Sequence, residues 1–539
     1  MKSVEEGLRR PDHLGRPLIE VIDRTGHITQ SYTYREIGVR RDRLAARLSH
    51  IPSGAVGLVA GNTPDWIIAD LALLAHGLVE VPVPLSFSAE QAQSLLQSTT
   101  ACLVDELGAA QMKEWHLTEG RRLIPIDSGD RTATGSPTST YLDCWPGYGS
   151  CGTHGHPVDD VVKVIHTSGT TGLPKGVRIR RAGIEALLDS LAEVIPDGVF
   201  DRYLSLVPLS LLIEQVTAVY LPIRSGGTLV LLPPDAALLG TAGSRAEHAL
   251  RWLRDAQATG AVLPPAVVSE LDKAVAKAEC APIASLFGST EPPFLMAGGA
   301  PVDPEALRRL GAAGIPVYEG YGLSENSSVV SWNRPEDNVP GTVGRPLTHC
   351  EVRLGSGDEL LVRSRALFAG YTVEDLTSRP LDEDGWLHTG DRASIDGQGR
   401  ITILGRLKNM IITSHGRNVS PEWVESRLRS CPRVNDCVVF GDGLEHLVAV
   451  VLADPGTSPP PGWMDRLGTE VRDFATRSLA ETDRPEHVVV VVDGEAVRAR
   501  YFTVTGRPRR DLLFTDLVAP MVHLTANTTI TVNNSGASS

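Results

Sequence analysis

The ten residues Thr167-Ser168-Gly169-Thr170-Thr171-Gly172-Leu173-Pro174-Lys175-Gly176 combine glycines, hydroxyls and one lysine between two strand-like runs, Val161 to Ile165 and Val177 to Ile179. Glycine lets backbone N–H groups approach phosphate oxygens, the hydroxyls of Thr167, Ser168, Thr170 and Thr171 add donors, and Lys175 supplies a mobile positive charge. The segment has the composition of a phosphate cradle. It is not a Walker loop, because the G-x-x-x-x-G-K-[ST] spacing is absent and the chain runs on toward a strand rather than straight into a helix. A P-loop kinase or GTPase is therefore disfavoured. A plain Ser/Thr/Gly connector is the competing reading, and the dense pattern ending in Pro-Lys-Gly argues against it.

These residues need a scaffold, and 539 residues exceed what one hydrophobic core organises, so at least two domains are expected. Hydrophobic residues make up 42% of the chain and charged residues 22%, a mixture able to bury large cores. From Tyr34 to Val104 short strands alternate with helical periods, as where Trp66, Ile67, Ala69, Leu71 and Leu74 run into the strand-like Val79 to Leu85. A stretch rich in Gly, Ser, Thr and Pro covers Asp127 to Pro157, after which the alternation resumes at Val161 and continues to about Leu361. From Arg392 the pattern predicts a β-hairpin, with Asp396-Gly397-Gln398-Gly399 as its turn and Ile401 and Ile403 on the return strand. Beyond Gly405-Arg406-Leu407-Lys408 a smaller α+β unit is expected. It has a helix opening at Ser420-Pro421-Glu422 with Ser420 as its cap, strands near Val438 and Val448, a helix through Trp463 to Leu479, and a strand from His487 to Val492. The fold class expected is thus α/β, with a large N-terminal domain of α/β subdomains over 1–405 and a small mobile α+β domain over 406–520. A disordered tail is expected over 521–539.

The net charge of -14 repels phosphate backbones, so no nucleic-acid partner is expected. Seven scattered cysteines with no C-x-x-C pair indicate neither a disulfide framework nor a zinc site. Met1 to Pro11 lacks the apolar run of a secretory signal and no segment reaches the roughly 20 apolar residues of a transmembrane span, so a cytoplasmic location is expected. Trp332, His248, His349 and His446 have no motif context and read as packing or surface residues.

The T-S-G-T-T-G-L-P-K-G segment resembles the signature loop of the adenylate-forming superfamily of acyl-CoA synthetases, peptide-synthetase adenylation domains and luciferases. The family's other motifs follow in order. Gly298-Gly299-Ala300-Pro301 is similar to the adenine-pocket wall, Tyr318 to Glu325 to the adenine and magnesium motif, and Thr389-Gly390-Asp391 to the ribose motif, a match running from about Tyr34 to Leu513. The resemblance implies nucleotide contacts from Thr167, Ser168, Gly169, Thr170, Thr171 and Gly172, from Gly299, Ala300 and Pro301, and from Glu319, Gly320, Tyr321, Gly322, Ser324, Asp391 and Arg406. Tyr321 offers a ring face for adenine, Ser324 a donor for the α-phosphate, Glu325 a hard oxygen ligand for Mg2+, and Asp391 an acceptor for both ribose hydroxyls. Seen alone, Tyr-Gly-Leu-Ser-Glu or Thr-Gly-Asp would read as a turn, and order and spacing carry the inference.

Carboxylate and ATP are both anions, so the implied first step needs positive charge at the α-phosphate, with Lys175, Glu325 and Arg507 in catalytic roles. The resemblance then implies transfer of the acyl group to CoA, with the small domain rotating about a hinge at Lys408 between the two half-reactions. Ser414, His415, Gly416 and Arg417 are similar to the segment that long-chain acyl-CoA synthetases set against CoA. Pro208 to Glu214 is similar to their acid-pocket motif, with Leu211 where a histidine or another aromatic residue is common. Thr505 to Arg510 departs from the family's T-G-K-x-x-R pattern in placing Arg507 at the lysine position. The substrates implied are an apolar carboxylic acid, ATP and CoA. A carrier protein or amine as acceptor, and a nucleotide-binding protein with weakened catalysis, stay open as alternatives.

Overall fold

The structure is a computed structural model that describes residues 1–126, 160–167, 175–239, 241, 244–277, 283–372, 380–412, 418–442, 444, 446–456, 459–502, 508–521 and 529–532. It divides into two compact units, one made of Met1, Val39–Ala182 and Phe368–Glu374, the other of Lys2–Gly38, Gly183–Leu367 and Asp375–Ser539.

The first unit is built on a six-stranded sheet in the order Arg122–Pro125, Thr99–Val104, Ala55–Val59, Val79–Pro82, Val161–Thr167, Lys175–Arg180. Its strands are parallel except for the last, which returns antiparallel to Val161–Thr167. The helix Pro64–His76 has proline in its first turn, and Thr63 Oγ1 accepts the Trp66 N–H at 3.3 Å. That helix is buried from Trp66 through Leu74, as expected of an element enclosed by a parallel sheet unit.

The second unit holds a nine-stranded sheet whose interior strands Pro17–Ile22, Thr228–Leu231, Arg202–Leu204, Gly260–Leu263, Phe294–Ala297 and Val317–Leu323 run parallel. Apolar residues on these strands, among them Ile19, Leu204, Val230, Ala261 and Leu295, are buried, as in a sheet covered by crossover helices. Leu204, Val230, Ala261 and Leu295 share one core with Leu253, Val268 and Leu307 from the helices Ala246–Asp255, Pro265–Lys277 and Pro304–Ala312. Next comes an antiparallel sheet of Cys350–Leu354, Glu359–Ser364, Leu387–Ile395 and Ile401–Arg406. The turn expected between the last two is present, with Asp396 Oδ1 accepting the Gln398 and Arg400 N–H groups.

The C-terminal sheet pairs Val434–Phe440, Val448–Ala453 and His487–Val492, close to the expected positions. Alternation splits it cleanly: Val439, Val451 and Val490 face the helices Pro421–Leu428 and Trp463–Ser478, while Val438, Val450 and Val489 face Val497, Leu513 and Leu517. Two expectations need correction. Part of the tail is ordered, because Thr529–Val532 adds a fourth strand parallel to His487–Val492, whose edge offers unpaired backbone groups. Ser420 precedes the helix as expected but does not cap it with its side chain; its hydroxyl is turned to Glu422 Oε2 at 3.4 Å. Trp332 and His349 are buried, and His446 pairs with Glu486 at 2.9 Å. No helix among the described residues is long and apolar enough to cross a membrane.

Candidate active site

In the first unit the strands Val161–Thr167 and Lys175–Arg180 form a hairpin with Thr167 opposite Lys175. Ser168, Gly169, Thr170, Thr171 and Gly172 lie outside the described residues. The segment Phe368–Thr372 runs along the hairpin's outer edge: the Arg178 N–H donates to Gly370 O at 3.0 Å and the Thr372 N–H to Gly176 O at 2.8 Å. A Cβ at Gly176 would lie 2.6 Å from a Val164 methyl and 2.7 Å from a Thr372 methyl, so a side chain there would force these neighbours to shift. Lys175 is half-buried, its ammonium 5.7 Å from the centre of the Tyr371 ring.

In the second unit Tyr321, from the strand Val317–Leu323, meets Asp391 and Arg406, which face each other on the paired strands Leu387–Ile395 and Ile401–Arg406. The Tyr321 hydroxyl donates to Asp391 Oδ2 at 2.5 Å, and Arg406 Nε meets Asp391 Oδ1 at 2.8 Å. Thr389 completes the mount: its hydroxyl donates to Leu360 O at 2.7 Å and accepts the Asp391 N–H at 3.1 Å, while Arg406 Nη1 donates to Thr389 O at 3.1 Å. Burial, together with the adjacent Asp391 carboxylate, pushes the Tyr321 hydroxyl well above its ordinary value, so it remains a donor. The sequence reading gave Tyr321 only a stacking face. Its hydroxyl contact with Asp391 spans 70 positions and has no local signal, whereas Thr389 could have been read from the Thr-Gly-Asp turn.

Glu325 and Ser324 stand on the one-turn 3-10 helix Ser324–Asn326, and its exit is conformationally costly: Ser327 has φ 52° and Ser328 φ 109°. Two contacts hold it, Ser327 Oγ to Ala366 O at 2.7 Å and Asn326 Nδ2 to Val329 O at 3.0 Å. Gly322 is needed because a Cβ there would lie 1.9 Å from Ser328 O. Strain that the surroundings enforce is a mark of a site where a side chain must point one way. Glu319 is turned inward, accepting the Val302 N–H at 3.1 Å just beyond Gly299, Ala300 and Pro301, and Gly320 lies against the Trp332 ring.

Two buried carboxyl groups of this unit stay protonated at neutral pH. Burial pushes Glu319 up to about 8, held back by the Val302 amide. It does the same to Glu214, which faces Ser205, Tyr203 and the Leu206 amide at the start of the wide-turned segment Gln215–Tyr220. The folded chain keeps two protons that the unfolded chain releases above about 4.5, so this contribution to stability is complete below that pH and fades as pH rises toward about 8. We expect Tm to fall by on the order of 5 °C between pH 5.5 and 8, and Glu214→Gln and Glu319→Gln each to flatten the fall. Melting curves across that range test this, and variant slopes parallel to the wild type would contradict it.

Lys408 is exposed in the 3-10 turn Leu407–Asn409, which is tied forward by Asn409 Nδ2 to Glu422 Oε1 at 2.7 Å. Ser414, His415, Gly416, Arg417 and Arg507 lie outside the described residues. The described residues on either side of positions 503–507 are held in place. Phe502 bridges Pro508, the Arg509 N–H donates to Tyr501 O at 2.7 Å, and Arg510 reaches the buried Glu425 at 2.5 Å and Val439 O at 2.8 Å. In the segment Pro208 to Glu214, Leu209 and Leu212 are buried and Leu211 partly so, beside the buried Ser210 and Glu214.

The donor set suits Mg2+ held jointly with a nucleotide. A partly exposed carboxylate on a rigid turn is what a cation mainly bound by phosphates and water needs, and among the described residues no group of three or more His, Cys, Asp or Glu could hold a metal alone.

The chain is 28% identical over 482 residues to long chain acyl-CoA synthetase 6, peroxisomal, of Arabidopsis thaliana, covering 78% of this chain and 68% of that one. It is 28% identical over 467 residues to the long-chain-fatty-acid--CoA ligase FadD15 of Mycobacterium bovis, covering 78% and 77%. Its fold matches the crystal structure of the anthranilate CoA ligase AuaEII in complex with anthranoyl-AMP, with TM-score 0.75, 19% identity, and 95% and 96% of the two chains covered. The family model for AMP-binding enzymes matches residues 16–372, and the chain belongs to that family.

Proposed function

We propose that the protein uses ATP to activate an apolar carboxylic acid as an acyl adenylate and then passes the acyl group to CoA as a thioester. The observation that carries this reading is the Tyr321–Asp391–Arg406 cluster, a fixed carboxylate with the geometry to accept hydroxyl donors, in a chain of the AMP-binding family. In the first step a carboxylate oxygen bonds to the α-phosphorus as the bond to the β-phosphate bridge breaks and pyrophosphate leaves. In the second the thiol sulfur bonds to the acyl carbon, the carbon–oxygen bond to AMP breaks, and the thiol proton is released. Little covalent help is needed, and the residues act by position and charge. Lys175 offsets phosphate charge, Asp391 accepts from the ribose, Ser324 donates toward the α-phosphate, and Arg507 bridges acid and nucleotide. Glu325 would hold Mg2+, which when bound would neutralise charge on the phosphates. The apolar run Leu209 to Ile213 suits a hydrocarbon chain, as do the relatives' names.

Purified protein incubated with ATP, CoA and a panel of fatty and aromatic acids should yield AMP and an acyl-CoA for apolar acids. Acid-independent AMP, or AMP without thioester unless a carrier protein or amine is added, would overturn the CoA step. Lys408 is proposed as the hinge between the half-reactions. Lys408→Pro fixes φ and removes a donor, so adenylate and thioester formation measured separately should fall unequally, by about tenfold or more between them. Equal losses in the two steps would contradict a hinge.

A further inference from the structure

Three elements of the first unit each carry one charged residue inside an apolar run: Asp70 in Ile67–Leu74, Glu80 in Val79–Pro82 and Lys163 in Val161–Ile165. All three side chains are fully buried, and Lys163 Nζ donates to both Asp70 Oδ1 and Glu80 Oε2. Burial, helped by the charge of Asp70, holds Glu80 well above the usual carboxylate range. Removing three such side chains from water is costly, and replacing buried ion pairs by apolar residues of similar size is often neutral or stabilising. Stability alone is therefore a weak account of their presence.

The strand pairing supplies another. Val162, Val164 and His166 are buried on one face of the strand, and Lys163 and Ile165 on the other, so apolar alternation does not distinguish the faces and cannot set register. Among the described residues, Glu80 opposite Lys163 is the one registered pair joining Val79–Pro82 to Val161–Thr167. The hairpin pairs Lys163 with Ile179, Ile165 with Val177 and Thr167 with Lys175, which places Lys163, Ile179, Val177 and Lys175 on the same face. A one-residue slip against Val79–Pro82 would turn Lys163 away from both acids and carry Lys175 to the opposite face.

We propose that Lys163, held by Asp70 and Glu80, is a positioning residue that sets the register of the phosphate-segment hairpin and thereby the face on which Lys175 stands. This rests on the reading that Lys175 serves ATP, and Lys175→Ala tests that reading separately. The decisive variant is Glu80→Leu, which removes one acceptor yet leaves the Lys163–Asp70 pair charge-balanced. Glu80→Gln, an isosteric neutral group with an acceptor, is the conservative rescue. Acid-dependent ATP–pyrophosphate exchange should show KM for ATP raised about tenfold in Glu80→Leu and within about twofold of wild type in Glu80→Gln, since small misplacements of a phosphate-contacting group are costly. Thioester formation from a supplied acyl adenylate should change less than twofold in either. A folded Glu80→Leu protein with wild-type KM would overturn the proposal, as would equal impairment of both variants. Failure of Glu80→Leu to fold would also overturn it, by showing that the acceptor serves the fold as a whole. Wild-type KM in Lys175→Ala would instead overturn the reading of Lys175, whereas an impaired Lys175→Ala beside an unaffected Glu80→Leu refutes only the register role.

Discussion

Arg507→Ala should lower the rate of acyl-adenylate formation by about 10²–10³-fold, the range for loss of one group that stabilises developing charge. Thioester formation from a supplied acyl adenylate should stay within about twofold, because acid and α-phosphate are by then already joined. Two anions must meet in the first step, and the family pattern brings a compact ammonium to that place. Arginine brings a wide planar fork, which can bridge a carboxylate and a phosphate oxygen if the loop presenting it is well held. The Phe502–Pro508 bridge and the Arg510–Glu425 pair hold both ends of that loop. Arg509, exposed and outside the motif's key positions, provides the control: Arg509→Ala should leave both steps unchanged. Rapid-quench assays of the two half-reactions decide the matter, and an unaffected first step in Arg507→Ala would show that Arg507 is only a surface charge.

Asp391→Ala should reduce kcat/KM for ATP by about 10²-fold, mainly through KM, because the carboxylate proposed to receive the ribose hydroxyls is lost and the Tyr321 hydroxyl and Arg406 lose their common acceptor. Asp391→Asn keeps the shape and one acceptor and should fall between. Arg406 is about half exposed, so solvent screens its unpaired charge and the variant should remain folded. AMP titration by calorimetry alongside steady-state kinetics measures this, and AMP binding equal to wild type in Asp391→Ala would remove Asp391 from the nucleotide site.

Much of the framework was legible because its signals are local. The hairpin around Asp396-Gly397-Gln398-Gly399, the strand leading to Thr167, and the alternating valines at 438–439 and 450–451 follow from turn chemistry and period-two patterning. Motif order carried the site list. Partnerships between elements distant in sequence did not show, since nothing near Tyr321 announces that its hydroxyl meets Asp391, and nothing near Lys163 announces Asp70. The protonation of Glu214 and Glu319 depends on burial that only the assembled core creates. Thr529–Val532 was missed for a related reason, because a four-residue strand in a polar tail is ordered by the open edge of His487–Val492 rather than by its own pattern.

The central claim, that the acid itself attacks the α-phosphorus of ATP, is tested most directly by oxygen tracing. With an apolar acid carrying ¹⁸O in its carboxylate, turnover with ATP and CoA should deliver one labelled oxygen into the phosphate of AMP, with unlabelled pyrophosphate. Unlabelled AMP, or ADP accompanied by labelled inorganic phosphate, would contradict an acyl-adenylate mechanism.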